Sequence, residues 1–283
     1  MQMADHPTHS DRFRDLIRSL TGISLPPSKV MMIDQRLRRR VLAAGLPSTE
    51  AYLEKLLGGA LPDDELRQVI DLITTNTTSF FREADHFDQL VRTILPERLG
   101  HRGAGGAARR RFKLWSAASS EGAEAYTAAM VLEEARRRRG DFDFAILGTD
   151  ISQRMLERAV AAVYANEQLS TVPRDLVARY FLHSSAPSMA GKSRVVPELR
   201  ARVRFRHLNL MDASYPVDRD VDVILLRNVL IYFDAGDKEK VVDRLVGHLA
   251  PGGYLMVGHA ESMVVRHALL RQIRPTIFQK GDA

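Results

Sequence analysis

Three carboxylates set near one glycine are the residues of this chain best placed to do chemistry. Asp150 closes the apolar run 144–150, and Ser119-Ser120-Glu121-Gly122-Ala123-Glu124-Ala125-Tyr126 follows the apolar run 112–118. A carboxylate that ends the second strand of an alternating fold accepts both hydroxyls of a nucleoside ribose. The plain alternative is that Asp150 or Ser152 caps the next helix. A dinucleotide site needs several glycines so that backbone approaches a pyrophosphate. This loop has one, Gly122, and the charge of Glu121 and Glu124 repels phosphate. That chemistry suits a ligand with an adenosine, an ammonium and a positive sulfur, such as S-adenosylmethionine, and disfavours a dehydrogenase.

A second stretch has an unusual make-up. TTNTTSFFRE, residues 74–83, sets hydroxyls and an amide against two phenylalanines and closes on a charged pair. Buried, each unpaired hydroxyl would cost about 1–3 kcal/mol, whereas Phe80 and Phe81 favour the core, as does Trp115. The stretch reads as an interdomain segment.

The elements that must position these residues change style near residue 110. Before it, apolar residues recur at helical spacing: Phe13, Leu16, Ile17 and Leu20; Val30, Ile33, Leu37 and Val41; Leu53, Leu56 and Leu57; Leu66, Val69, Ile70 and Ile73. Four short amphipathic helices follow, with Ser48 as an N-cap. A fifth carries Phe87, Leu90, Val91, Ile94 and Leu95, and the glycine-rich stretch 101–108 reads as a flexible connection. Beyond it, strands are expected at 112–118, 144–150, 203–209, 221–226 and 254–259, with helices between them. Alternation of this kind implies a parallel, doubly wound α/β sheet whose ligands bind beyond the carboxyl ends of the strands.

Composition narrows the function classes. The chain has 283 residues, 45% apolar and 27% charged, which suits two domains of an ordinary globular protein. It has no cysteine, so disulfides and thiolate metal sites are excluded, and no metal is expected. No run approaches a membrane span, and residues 1–6 lack the pattern of a signal peptide, so the cytoplasm is the default. The net charge is +6, with arginines clustered at 36–40, 109–111 and 136–139. Such clusters suit an acidic partner. The run 136–139 is better read as cations that complement a helix C-terminus at Gly140.

In order, TTNTTSFFRE, LWSAASSEGAEAY, ILGTDIS, LLRNVLIYF and GGYLMVGHAES resemble the motifs of the bacterial chemotaxis receptor methyltransferases, which use S-adenosylmethionine to esterify glutamates on chemoreceptors. The resemblance runs from the helical N-terminal part to about Phe278. It implies a Rossmann-like S-adenosylmethionine-dependent methyltransferase sheet, with a small all-α receptor-docking domain at 1–75 and a cofactor-lid segment, helix and linker at 76–111. The catalytic domain would span 112–283 and carry a small antiparallel β insertion at about 164–202.

The same resemblance assigns roles to residues. Asn76, Thr78 and Arg82 would face the cofactor, Glu124 would meet its methionyl or ribose part, and Asp150 would hold the ribose. Asn209 and Leu210 would border the adenine, and Arg227 and Asn228 would line the methionine side. Tyr232 would stand near the transferred methyl, with Arg82 as the other aligning residue. Arg36, Arg38, Arg39 and Arg40 would dock the acidic receptor bundle, and the β insertion would offer some members a tether for a peptide at the receptor's C-terminus. One departure is visible: the family loop usually reads Gly-Glu-Glu-Pro-Tyr, and here it is Gly122-Ala123-Glu124-Ala125-Tyr126, with Glu121 placed before the glycine.

Two rival classes share the cofactor fold. A nucleic-acid methyltransferase would explain the basic charge, but the sequence has no aromatic motif for a flipped base and no reader module. A non-catalytic sensor of the cofactor would bind it without consuming it.

Overall fold

A computed structural model describes residues 8–101, 110–184 and 186–281. Helices α1 (His9–Thr21), α2 (Val30–Ala43), α3 (Thr49–Leu57) and α4 (Glu65–Ile73) form the N-terminal unit around Phe13, Ile17, Ile33, Leu37, Tyr52, Leu53 and Val69. The expected spacing is kept, and Ser48 accepts the backbone N–H of Ala51 at the start of α3. Helix α5 (Asp85–Gln89) runs through a π-helical turn at Leu90–Ile94 into α6 (Leu95–His101). The expected glycine-rich connection lies outside the described residues beyond His101.

The second unit is built on β1 (Arg110–Ala117), α7 (Ala123–Arg139), β2 (Phe142–Asp150) and α8 (Gln153–Ala161). A three-stranded antiparallel sheet follows, with β3 (Val163–Ala165), α9 (Arg174–Tyr180), β4 (Phe181–His183) and β5 (Lys192–Val195) ordered β3-β5-β4. Helix α10 (Pro197–Arg200) leads back to β6 (Val203–His207), β7 (Val221–Leu226), α11 (Ala235–His248), β8 (Leu249–Val257), β9 (Leu270–Arg274) and β10 (Ile277–Lys280). The large sheet has the order β6-β2-β1-β7-β8-β10-β9.

Strands β1, β2, β6, β7 and β8 are parallel, as the alternation implies, but β10 runs antiparallel to β8 and to β9. The sheet is therefore mixed at one edge. Its hairpin escapes the pattern because Leu270-Arg271-Gln272-Ile273-Arg274 is mostly exposed and has too few apolar residues to alternate. One face buries Phe112, Leu114, Phe144 and Ile146 under α5–α7 and the β insertion; the other buries Trp115, Ile224 and Leu226 under α11. Winding reverses between β1 and β7, the point where a doubly wound sheet opens a crevice.

Two expectations about the basic surface are corrected by packing. Arg36 donates from Nη1 to the carbonyls of Leu72 (3.2 Å), Ile73 (2.5 Å) and Thr74 (3.3 Å), satisfying the carbonyls at the end of α4. Arg40 grips Glu65, a carboxylate with only 3% of its side chain exposed that also accepts the Tyr52 hydroxyl. These two arginines hold the helical domain together, and only Arg38 and Arg39 of the cluster face solvent. At the far end of α7, Arg136 pairs with Glu133 and Arg139 with Asp141 before the left-handed Gly140, which fits a capped helix end.

The two units meet at the end of α1. Gly22 has φ +72°, and a Cβ there would lie 2.6 Å from Met211 Sδ and 2.8 Å from the Phe233 ring, so the joint has no room for a side chain. Ser24 N–H donates to the Tyr232 carbonyl at 2.9 Å, Asn209 Nδ2 donates to the Leu20 carbonyl at 2.5 Å, and Arg18 pairs with Asp234.

Removing Arg40 leaves a buried, anionic Glu65. Arg40→Ala should therefore cost roughly 3 kcal/mol in denaturant unfolding, whereas Arg38→Ala and Arg39→Ala should stay within about 0.5 kcal/mol. Equal effects at the three positions would contradict this division.

Candidate functional site

Loops at the carboxyl ends of β1, β2, β6 and β7 border a cleft, lined on its other side by residues 74–79, by Arg82 and by Thr21 and Ile23 of the helical domain. Asn76, Thr78, Arg82, Glu124, Asp150, Asn209, Leu210, Arg227, Asn228 and Tyr232 all line it. The expected cofactor and aligning residues are thus brought together from widely separated parts of the chain. Arg36, Arg38, Arg39 and Arg40 lie elsewhere.

The segment 74–79 resolves the puzzle of its hydroxyls by alternation. Thr75, Thr77 and Ser79 are exposed and Asn76 and Thr78 half-buried, and all five border the cleft. Its backbone is pinned: Asn76 carbonyl accepts Ser120 Oγ (2.8 Å), Phe80 carbonyl accepts Thr171 Oγ1 (2.7 Å), and Phe81 N–H donates to Thr127 Oγ1 (3.2 Å). Phe80 is 1% exposed and meets Tyr164 and Phe181 edge-on, while Phe81 is only half-buried, at φ +54°. The segment is a fixed wall, anchored by the buried Phe80 and by the half-buried Phe81, which packs against Phe87 at the edge of the core.

Asp150 is 5% exposed, and its carboxylate accepts the backbone N–H groups of Ser120 (2.8 Å) and Ser152 (2.9 Å). Burial raises its carboxyl above the ordinary value, opposed by those two N–H groups. A carboxylate offers about four acceptor positions, so Asp150 retains capacity for a vicinal diol. Ser152 separately caps α8 by accepting Met155 N–H. The capping reading of this corner holds at Ser152, while Asp150 lines the cleft.

Arg227 organises the opposite wall. Its guanidinium, 2% exposed, donates from Nη1 to Glu124 Oε2 (3.0 Å) and from Nη2 to Glu83 Oε2 (3.2 Å) and the Arg82 carbonyl, and lies over the Phe87 ring. Ser116 Oγ donates to the other oxygen of Glu124 at 2.6 Å. Glu83 is pushed up by burial but held below its ordinary value by Arg227, Asn228 and His259. Nearby His86 is pushed down to about 4, by burial first and Arg227 next.

Glu261, which the sequence does not single out as a site residue, carries the loop after β7. Fully buried, it accepts the backbone N–H groups of Val229 and Leu230 on Oε1 (both 2.6 Å) and of Asn228 and Gly258 on Oε2 (both 2.7 Å). The loop then enters the short 3₁₀ turn Leu230–Tyr232 that sets Tyr232 at the cleft. Glu83 is likewise missed, although its carboxylate joins Arg227 and Asn228. The available signal was a single acid in each of two motifs, which spacing alone cannot separate from solvated charge. Glu121, by contrast, turns away: Oε1 accepts Gln168 Nε2 (2.7 Å) of the β insertion, and it does not line the cleft.

Glu261→Gln keeps the shape but sets amide N–H groups against backbone donors. It should lower stability by at least about 2 kcal/mol, read as a fall in the unfolding midpoint; an unchanged midpoint would refute the role of this carboxylate.

Similarity to known proteins follows the same division of the chain. Residues 76–278 match the CheR methyltransferase, SAM binding domain, and residues 9–74 the CheR methyltransferase, all-alpha domain. Chemotaxis protein methyltransferase 2 of Pseudomonas aeruginosa is 36% identical over 277 residues, covering 96% of this chain and 94% of the relative. The chemotaxis protein methyltransferases of Klebsiella aerogenes (37% over 265 residues; 93% and 87% covered) and Escherichia coli (35% over 264; 92% and 86%) are similar over comparable spans. With both domains matched in order and the cleft between them, the chain belongs to the CheR methyltransferase family.

Proposed function

We propose that this protein is a cytoplasmic, S-adenosylmethionine-dependent protein-glutamate O-methyltransferase that forms methyl esters on chemoreceptors. The observation that carries the reading is the convergence of the expected cofactor residues on one cleft at the winding reversal of the sheet. No helix of the described residues is long and apolar enough to cross a membrane, so contact with membranes would come through the receptor.

The residues fit the cofactor. Asp150 has spare acceptor positions for the ribose hydroxyls, and Leu208, Asn209, Leu210 and Ile151 offer a mixed apolar and amide border for the adenine. Glu124 and Asp150 put negative charge in the cleft, and the chain supplies no glycine-rich cradle for phosphate. Asn76 and Thr78 face the same space from the pinned wall, and Arg227 fixes Glu124 rather than leaving it mobile. Arg227 and Asn228 thus act at the methionine side chiefly by holding the acids there in place.

Bound S-adenosylmethionine supplies a methyl group on a positive sulfur. The acceptor glutamate, with an ordinary pKa of about 4.3, is already anionic at neutral pH, so no side chain needs to remove a proton. What the chain must supply is alignment and exclusion of water. Arg82 lines the cleft and spends one Nη1 N–H on the Thr77 carbonyl (3.1 Å), leaving further donors of its guanidinium for a carboxylate. Tyr232 lines the same cleft and is held by the Glu261-braced turn. These two orient the acceptor and the donor and carry no proton.

Docking of the acidic receptor bundle is assigned to the outer face of α2. Arg38 and Arg39 are exposed there, flanked by Met31 (85% exposed) and Leu42 (70%), which share the Arg38 face at helical spacing. The outer strands β3 and β4 of the insertion offer edges on which a peptide from the receptor's C-terminus adds a strand.

The reading is tested by transfer of labelled methyl to receptor-containing membranes, followed by mild alkali: esters release the label as methanol, and amine or base products keep it. Arg82→Ala should lose at least about a hundredfold in transfer with the circular dichroism of the fold unchanged; near-normal turnover would sink the role of Arg82. Asp150→Asn should weaken cofactor binding about tenfold or more, measured by calorimetry. Charge reversal at Arg38 and Arg39 should raise the receptor KM while cofactor affinity stays constant, and a constant KM would leave α2 merely solvated.

A further inference from the structure

Glu83 faces more than Arg227. His86 Nδ1 stands 3.5 Å from Glu83 Oε2, and His259 Nδ1 stands 3.9 Å from Glu83 Oε1. One ligand atom from each of the three residues lies within 4.8 Å of the others. His86 is 1% exposed; its Nε2 is 2.7 Å from Thr276 Oγ1, and its Nδ1 is buried with no hydrogen-bond partner. A buried ring nitrogen without a partner is costly and rare. His259 also turns Nδ1 to Glu83, and its Nε2 lies 3.6 Å from Asp85 Oδ2, within ion-pair range. With Nε2 of His86 occupied by the Thr276 hydroxyl, its unpartnered Nδ1 is the nitrogen turned to Glu83, and a ligating histidine is commonly held in this way through its other nitrogen.

We propose that Glu83, His86 and His259 form a binding site for a transition-metal dication of the zinc type at the edge of the cofactor cleft. Two imidazoles and one carboxylate are a known zinc ligand set with a fourth position left for water. Bonds of about 2.0–2.1 Å at tetrahedral angles set ligand atoms about 3.3 Å apart, so the two contacts to Glu83 are near that spacing and the widest pair would draw in by up to about 1.5 Å, a movement open to the exposed His259 side chain. Glu83, Asp85 and Glu124 outnumber Arg227 in charge, so the neighbourhood attracts a cation. Entry is open, because the His259 side chain is 59% exposed and Asp85 62%.

The site is wired to the cleft through Glu83. The same carboxylate accepts Arg227 Nη2 (3.2 Å) and Asn228 Nδ2 (3.3 Å), both long bonds that a metal on Glu83 would weaken. Metal occupancy would therefore loosen the brace that holds Arg227 against Glu124, giving the ion a means to modulate the cleft without entering it.

The test uses the full chain and Zn²⁺ alone. With no cysteine present, thiolates cannot contribute to binding. Competition against a chromophoric chelator should show one Zn²⁺ per chain, and Co²⁺ in its place should give the visible absorption of a four-coordinate centre. His259→Ala, at an exposed position, should keep the fold, weaken Zn²⁺ at least tenfold and abolish the Co²⁺ bands. His267→Ala, which removes a histidine paired with Asp243, should leave both unchanged. Absence of saturable Zn²⁺ binding, or equal binding by His259→Ala, would overturn the proposal.

Discussion

Arg227 is a nearly fully buried cation placed between two acids, and the shape of the cleft depends on it. Taking a guanidinium out of water costs several kcal/mol, which the pairings with Glu83 and Glu124 offset only if their geometry is good. Its contribution is therefore less to net stability than to arrangement. Through one side chain, the end of β7 is tied to the first turn of α7 and to the backbone at Arg82. Three chain segments far apart in sequence are held in register around a space that none of them could shape alone. A lysine would keep the charge but not the fork that reaches two carboxylates and a carbonyl together.

Backbone conformation concentrates at the same place. Of the non-glycine residues with positive φ among those described, Phe81, Glu83, Ala118, Ser120 and Asn228 all flank the cleft, and only Ala162 and Asp220 lie elsewhere. Left-handed backbone at such residues is unfavourable and persists where surroundings over-determine it. Here they do. Glu261 fixes Asn228 by gathering four N–H groups, Asp150 fixes Ser120, and Arg227 fixes the Arg82–Glu83 peptide region. The buried acids and the strained turns belong to one arrangement, in which fixed charge holds loops in conformations that helix or sheet pairing would not select.

What the sequence discloses follows from the range of the forces involved. Helical and strand periodicities depend on neighbours a few residues away, so α1–α4, the five parallel strands and Ser48 as a cap are legible in it. Asp150 is legible because its place at a strand end is itself a local feature. The hairpin β9–β10 is not, because its partner is β8 and its outer strand faces solvent. The arginines at 36–40 look alike in sequence, and only packing separates Arg36 and Arg40, whose partners are 25 or more residues away, from Arg38 and Arg39. Glu83 and Glu261 were hidden for the same reason: a carboxylate that gathers backbone donors is indistinguishable from a solvated one until the loops it braces are in place.

The joint between the two units gives the arrangement its functional logic. Asn209 spends its amide on the Leu20 carbonyl and its Oδ1 on Met211 N–H, and the Tyr232 carbonyl accepts Ser24 N–H. Two residues proposed to serve the cofactor thus also hold the helical domain, and Gly22 removes the side chain that would pry the surfaces apart. The helical domain in turn contributes Thr21 and Ile23 to the cleft wall. A protein substrate docked on α2 would therefore bear on a domain that is part of the cofactor site, and rigid contact across Gly22 is what would convert docking into alignment at Tyr232. A flexible tether between the units would allow binding but could not fix the distance between a docked acceptor group and the cleft.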